Sequence, residues 1–167
     1  KEVDDIDSRI QRAAAAAAAS NSQSQGSNNN NSGSNYVPPV GTGGGAAIVA
    51  EAYKYLGVPY VWGGSNPVTG FDCSGYVCWV VTQSGFKNLP RTTAQGIYNQ
   101  CTPISKSEAK AGDLIFFTRT YNSGTAVTHV GIYCGENIMV HCGDPIKYSN
   151  ISSPYWSSHF YGFGRLN

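Results

Sequence analysis

Residues 71–77 read FDCSGYV, a cysteine set between an aspartate and a serine immediately before an apolar stretch. Apolar residues recur at helical spacing, which predicts a helix over residues 73–84; they are Val77, Val80 and Val81. Asp72 is a good N-cap for this helix and Gly85 a good terminator. Cys73 would then lie in the first turn, where unpaired N–H groups and the helix dipole favour the nucleophilic thiolate. The alternative is a capped core helix that starts with a small buried residue.

The overall composition excludes some classes of protein. The chain has 167 residues, which fits one domain plus an appendage, and its net charge is +1 with 13% charged residues. Without a basic stripe, nucleic acid and anionic membranes are disfavoured as main partners. No apolar run approaches the roughly 18 residues of a membrane-spanning helix. Because the sequence starts with Lys1, we expect it to be a segment of a longer protein, with any signal peptide upstream.

The five cysteines are an odd number, so at least one stays unpaired within the chain. No two of them have the two-residue gap that is typical of zinc ribbons and fingers. The cysteines alone therefore leave the redox compartment open.

The N-terminal quarter of the chain differs in composition from the rest. Residues 1–19 show coiled-coil spacing followed by alanines, which predicts a helical segment that could join a coiled-coil partner through a region upstream of residue 1. Residues 20–42 are rich in Ser, Asn and Gly and predict a disordered linker. Residues 43–167 are predicted to form the folded domain.

Within that domain, helical patterns come first and strand patterns later. Helices are predicted at residues 46–56, 73–84 and 91–99, with an extended loop at 58–64. Strands are predicted at residues 114–117, 128–133, 137–142 and 160–166. This order predicts an α+β domain in which N-terminal helices pack on one central antiparallel sheet.

Two histidines lie on consecutive predicted strands, where one of them could serve as the base for a cysteine nucleophile. A three-residue hairpin loop at residues 134–136 would place His129 and His141 directly opposite each other, with Cβ atoms about 5 Å apart. A two-residue loop would place them on opposite faces of the sheet. The alternative is two unrelated histidines, one of them a satisfied core residue.

Six stretches in order resemble the NlpC-type cysteine peptidases of bacterial cell walls, which are circularly permuted relatives of papain. They are GVPYVWGG at 57–64, FDCSG at 71–75, LPRTTAQ at 89–95, GDLIFF at 112–117, HVGIY at 129–133 and MVH at 139–141. The resemblance implies a papain-like fold without a cofactor or metal. It further implies a secreted or cell-wall-associated enzyme that hydrolyses the γ-D-glutamyl–diamino acid bond of peptidoglycan stem peptides.

The resemblance also assigns expected roles to single residues. Cys73 matches the nucleophile, His129 the base, and His141 the polar residue that holds the imidazole. Tyr60 matches a tyrosine that helps the oxyanion or the substrate carbonyl. Further matches are Asp72 and Ser74, which contact the amino end of the stem peptide in some members, Arg91, whose expected role is structural, and Trp62, a pocket wall or a core aromatic.

Three other interpretations stay open at this level. The domain could be a wall-binding module without catalysis, although such a module has no need for the complete Cys–His–His set. It could be an amidase or an acyltransferase on the same scaffold. Finally, His129, His141 and Cys142 could bind zinc. The four additional cysteines depart from what the resemblance implies, and His159, which matches no motif, is expected at the surface.

Overall fold

The computed structural model describes residues 44–166, so the predicted helical segment 1–19 and the linker 20–42 lie outside the described residues. The α-helices are α1 Gly44–Ala52, α2 Cys73–Ser84, α3 Ala94–Tyr98 and α4 Pro154–Ser158, with 3₁₀ turns at Tyr53–Tyr55 and Lys106–Glu108. The strands are β1 Ser65–Asn66, β2 Gly70–Phe71, β3 Cys101–Ile104, β4 Leu114–Phe117, β5 His129–Gly135, β6 Ile138–Cys142, β7 Ile146–Asn150 and β8 Phe160–Leu166.

A six-stranded sheet with the order β3-β8-β4-β5-β6-β7 forms the centre of the domain, and each neighbouring pair in it is antiparallel. Strands β1 and β2 form a small separate ribbon. This architecture confirms the α+β prediction. Five elements were not predicted. Strands β1 and β2 have only two residues each, β3 contains Pro103, which argues against a strand, β7 was not recognised, and α4 has too few residues to show a helical period.

The two faces of the sheet are covered unequally. Helices α1 and α2 pack on one face around the larger core, whose sheet residues include Leu114, Phe116, Val130, Ile132 and Val140. The opposite face carries a smaller cluster with Ile115, Phe117, Tyr133, Met139 and Phe163, against which Trp156 of α4 packs. Side chains alternate along a strand, so odd-numbered positions of β4 and β5 lie on the face opposite α2.

Helix α2 begins and ends as its sequence predicts. The carboxylate of Asp72 accepts a hydrogen bond from the Gly75 N–H at 2.8 Å, and Gly85 ends the helix with φ +84°. A glycine is needed at position 75 because a Cβ there would lie 2.0 Å from the carbonyl oxygen of Gly64. The first turn of α2 is therefore seated directly against the loop at residues 61–64.

The β5–β6 hairpin differs from the predicted one. Its turn is formed by two residues, Glu136 and Asn137, both with positive φ, and the predicted three-residue loop at 134–136 is wrong. The register shifts between Tyr133 and Gly135, because Cys134 is an extra residue that has no partner across the ladder. A regular two-residue hairpin would put odd positions of the two strands on opposite faces, and this bulge restores them to the same face.

No helix among residues 44–166 is both long enough and apolar enough to cross a membrane.

Candidate active site

Cys73 reaches the sheet at an open edge of β5. The pairing of β5 with β6 ends at Ile132 and Val140, so the start of β5 is unpaired on that side. The Cys73 thiol occupies this gap, with Sγ 3.9 Å from the Thr128 carbonyl oxygen and the Val130 N–H hydrogen-bonding to the sulfur. These two backbone groups belong to the residues on either side of His129. The Cys73 sulfur therefore lies beside β5 at the position of His129, although α2 packs on the face of the sheet opposite the His129 side chain.

The two histidines and a serine form a hydrogen-bonded chain across three strands. His129 Nε2 lies 2.9 Å from His141 Nδ1, and His141 Nε2 lies 2.8 Å from Ser149 Oγ. If each imidazole donates along the chain toward Ser149, the proton of His129 sits on Nε2 and its Nδ1 is an acceptor. That tautomer is the one that a base for the Cys73 thiol requires.

The histidines meet diagonally and not face to face as predicted. By the observed register, Gly131 lies across from His141, and a Cβ at Gly131 would be 3.1 Å from the His141 Cβ. The absence of a side chain at Gly131 leaves room for the His129 ring, two residues earlier on the same face, to reach His141. Ser149 is likewise two residues from Lys147, the partner of His141 on β7.

Trp156 covers the two imidazoles. Its ring is stacked on His129 with centroids 5.2 Å apart and an interplanar angle of 26°, and it meets His141 edge-on at 5.1 Å. Phe117 packs against the same indole at 4.7 Å. The base candidate is thus enclosed by aromatic surface, with α4 as its lid on this side.

Burial dominates the electrostatics of the site. It raises the pKa of the Cys73 thiol to about 11, more than the N–H groups of Val130 and Ser74 lower it. Burial also lowers the pKa of His129 to about 4, partly opposed by the Asp72 carboxylate, and lowers that of His141 well below its ordinary value. Burial therefore outweighs the effect expected of the helix start and favours the neutral thiol and the neutral imidazole near pH 7.

Asp72, Ser74 and Arg91 form one cluster at the start of α2. The guanidinium of Arg91 contacts both carboxylate oxygens of Asp72 at 3.0 and 2.9 Å, and its Nη1 donates to Ser74 Oγ at 2.8 Å. Asp72 also accepts from the Gly63 N–H at 3.1 Å. This pairing holds the helix cap, the loop before it and the arginine together beside Cys73.

The two aromatic candidates lie on the loop before α2. Tyr60 is half-buried, and burial together with the nearby Cys73 raises the pKa of its phenol to about 12, so it remains a hydrogen-bond donor. Trp62 is 71% exposed and meets Tyr121 edge-on at 5.4 Å, so it is not a core aromatic.

The residues considered as a zinc site do not converge. Cys142 follows His141 on β6 and points to the other face, where its Sγ lies 3.1 Å from the Phe71 carbonyl oxygen. Within the described range 44–166, no group of three or more His, Cys, Asp or Glu side chains could hold a metal ion. All five cysteines are free thiols. His159, which was expected at the surface, is half-buried, and its Nδ1 lies 2.8 Å from the Thr118 carbonyl oxygen.

Two residues of the site were missed at the level of sequence. Ser149 lies on a strand that was not predicted, and Trp156 on a helix of five residues. A tryptophan directly after Pro154-Tyr155 was visible in the sequence, but nothing local to it indicates contact with residues 129 and 141.

Comparisons with known proteins show the family to which the chain belongs. The profile of the NlpC/P60 family matches residues 57–165. The bifunctional muramidase/DL-endopeptidase CwlT of Bacillus subtilis is 52% identical over 120 residues, which are 71% of this chain and 36% of CwlT. This chain thus spans only about a third of that relative.

Two solved structures have the same fold. A lipoprotein-like NLP/P60 family protein of Staphylococcus aureus superimposes with a TM-score of 0.71 and 48% identity, covering 80% of this chain and 45% of that one. The NlpC/p60 domain of the peptidoglycan hydrolase SagA superimposes with a TM-score of 0.59 and 38% identity, covering 74% of this chain and 98% of that one. The motifs, the fold and these similarities together show that the chain belongs to the NlpC/P60 family.

Proposed function

We propose that residues 43–167 form a cysteine endopeptidase that hydrolyses the γ-D-glutamyl–diamino acid bond of peptidoglycan stem peptides. The proposal rests on the position of the Cys73 thiol, which contacts β5 beside His129. The imidazole of His129 is the first member of the hydrogen-bonded chain that continues to His141 and Ser149. The names of CwlT, a DL-endopeptidase, and SagA, a peptidoglycan hydrolase, support the substrate class. Since this substrate lies outside the cytoplasmic membrane, we place the enzyme there, secreted or attached to the wall.

The mechanism follows from the neutral resting pair. His129 takes the thiol proton as Cys73 attacks the amide carbonyl, and the N–H groups at the start of α2, together with the Tyr60 hydroxyl, stabilise the oxyanion. The imidazolium of His129 then protonates the leaving amine, and the carbon–nitrogen bond breaks to leave a thioester on Cys73. Water, deprotonated by His129, hydrolyses the thioester and releases the glutamyl carboxylate and the free thiol.

Substitution of the nucleophile tests this assignment. Cys73→Ala should lower the rate of cleavage of a defined muropeptide by more than about a thousandfold, because no other group can form the acyl-enzyme. Its melting temperature should stay near that of the parent, because the change removes only the sulfur atom of a half-buried residue. Cys101→Ala, a half-buried thiol on β3, is the matched control and should keep its activity. Mass spectrometry should show scission between glutamate and the diamino acid, and another scission site would refute the proposed specificity.

Substitution of the two histidines distinguishes a catalytic hydrogen-bonded chain from two residues that have only structural roles. His129→Ala should be nearly as inactive as Cys73→Ala. His141→Asn should retain more activity than His141→Ala, since an amide oxygen can accept the hydrogen bond from His129 Nε2 and a methyl group cannot. The double variant of both histidines should be scarcely worse than His129→Ala alone, because residues of one catalytic unit are strongly non-additive. A double variant with parent activity would rule out the triad.

A further inference from the structure

A cavity of about 300 Å³ lies next to the candidate base, in the loop that joins β4 to β5. Its lining residues are Arg119, Tyr121, Asn122, Ser123, Thr125 and Thr128. Nothing in the proposed mechanism uses this cavity. Its position and its charge nevertheless suit one part of the substrate.

The cavity adjoins the reacting atoms on the strand side. The Thr128 carbonyl oxygen is 3.9 Å from the Cys73 sulfur, and Thr128 directly precedes His129. The cluster of Asp72, Ser74 and Arg91 lies at the start of α2, whereas the cavity lies on the loop that leads into β5. Because His129 protonates the leaving amine in the proposed mechanism, we expect the part of the substrate attached to that amine to lie near the loop that precedes His129.

The walls of the cavity are held in place by hydrogen bonds. Thr128 Oγ1 lies 2.7 Å from Thr120 Oγ1 and accepts from the Thr120 N–H at 3.0 Å. The Thr118 N–H donates to the His159 carbonyl oxygen at 2.7 Å. These contacts close the two ends of the loop onto each other and onto the segment after α4, so the cavity is preformed.

Arg119 supplies the only charged side chain of the cavity lining. In the part of the chain from 44 to 166, the ion pairs involve Lys54, Arg91 and Arg165, so Arg119 has no acidic partner there. Its Nη2 donates to the Ser158 carbonyl oxygen at 3.1 Å, which leaves other guanidinium donors for a ligand. Its backbone has φ +58°, a conformation uncommon for a residue other than glycine and often found at functional positions.

We propose that Arg119 binds a carboxylate of the leaving diamino-acid portion of the stem peptide in this cavity. The inference rests on the proposed function and adds the recognition of the leaving group to it. A planar guanidinium suits a carboxylate because it can donate two parallel hydrogen bonds. The carboxylate has two sources, the main-chain carboxylate of the leaving segment or the side-chain carboxylate of diaminopimelate.

Four synthetic tripeptides distinguish these sources. Two are L-Ala-γ-D-Glu-L-Lys with a free main-chain carboxylate and the same peptide as an amide. The other two carry diaminopimelate, one amidated at the main-chain carboxylate and one at the side-chain carboxylate. Amidation of the bound carboxylate should lower kcat/KM of the parent enzyme by about tenfold, the size expected for one hydrogen bond to a charged group.

Arg119→Gln should cause the same loss of about tenfold on the peptides that carry the bound carboxylate and no loss on those where it is amidated. Arg119→Lys should recover part of the loss, because it keeps the charge without the planar pair of donors. Lys106→Gln, an exposed cation on a 3₁₀ turn next to β3, is the matched control and should match the parent on all four peptides.

The outcomes separate this inference from the proposed function. If Arg119→Gln loses activity equally on acid and amide peptides, the residue is structural and the inference is wrong. If the parent cleaves acid and amide peptides equally well, carboxylate recognition is wrong while the proposed function stands. If the parent cleaves none of the four and also fails on a complete muropeptide, the proposed function itself is wrong.

Discussion

At the scale of single residues, Cys73 and His129 rest as a thiol and a neutral imidazole, because burial disfavours the charged form of each. Proton transfer then accompanies the attack on the substrate and does not precede it. This differs from a preformed thiolate–imidazolium pair, in which the charges exist before substrate binds. The difference has a consequence for the dependence of activity on pH.

The acid limb of kcat/KM should lie near the pKa of His129, about 4, and below the ordinary 6.5 of a histidine. The sign follows from the proton count: below its pKa the imidazole is charged and cannot accept the thiol proton, so activity falls as pH falls through that value. A pH–rate profile on a tripeptide with isoglutamine in place of glutamate and with the carboxylate of its diamino acid amidated avoids titration of the substrate's own carboxylates. An acid limb at 6.5 would show that His129 is solvated in the free enzyme.

Trp156 should influence the pH at which the acid limb of kcat/KM lies. Trp156→Ala opens the stacked face of His129 to water, which should raise its pKa toward 6.5 and shift the acid limb upward. Trp156→Phe keeps an aromatic cover and should shift the limb less. Tyr161→Ala, another partly exposed aromatic that contacts Tyr98 and not the histidines, is the control and should leave the profile unchanged. A purely structural Trp156 would lower activity equally at every pH.

At the scale of elements, the site depends on two close approaches of backbone. The first turn of α2 is seated on the loop at 61–64 through Gly75, and the β5–β6 hairpin brings its histidines together across Gly131. In both places a glycine allows a contact that a side chain would block. The change in the free energy of unfolding when a glycine is replaced by alanine therefore reports how closely the backbones approach at that position.

Gly75→Ala should destabilise the domain by about 1–3 kcal/mol, because the new Cβ would be 2.0 Å from a backbone oxygen. In an open helix the same change would be favourable by about 1 kcal/mol, so the sign itself reports the steric contact. Gly162→Ala on β8 is the control, since a Cβ there meets nothing within 4 Å. Urea unfolding of the two variants checks the difference, and a stabilised Gly75→Ala would contradict the close seating of α2.

At the scale of the whole molecule, the described domain begins with α1, whose buried side chains include Ile48 and Val49. The matched family segment, residues 57–165, begins after this helix. Helix α1 nevertheless packs with α2 in the larger core. The folded unit therefore extends at least to the start of α1.

Deletion of residues 1–40 should leave both the melting temperature and the cleavage of a soluble muropeptide unchanged, because the Ser/Asn-rich segment has too little apolar surface to pack. Deletion of residues 1–50 is the matched comparison. It removes Ile48 and Val49, which are 2% and 1% exposed, and should cost several kcal/mol. A large fall in melting temperature for the shorter deletion would show that the N-terminal segment docks on the domain.

The sequence by itself determined the local features of the site and the class of the fold. The helix at 73–84, its Asp72 cap and its Gly85 terminator were predicted correctly, as were the strands of the central sheet that carry His129 and His141. These features follow from capping chemistry and from hydrophobic period, which depend on neighbours within a few residues. The family motifs extended this to an assignment of candidate roles.

Only the tertiary structure decided the register, the protonation states and the outer members of the site. The two-residue turn alone would put the histidines on opposite faces of the sheet, and the bulge at Cys134 returns them to the same face. The length of the loop in the sequence does not reveal this combination. Ser149 joins the site from β7 and Trp156 from α4, two elements that were not predicted, and burial favours a neutral thiol at Cys73 where the helix start favours a thiolate. The physical reason is common to all three: register and desolvation are set by packing between elements, whereas helix caps and periods are set within one.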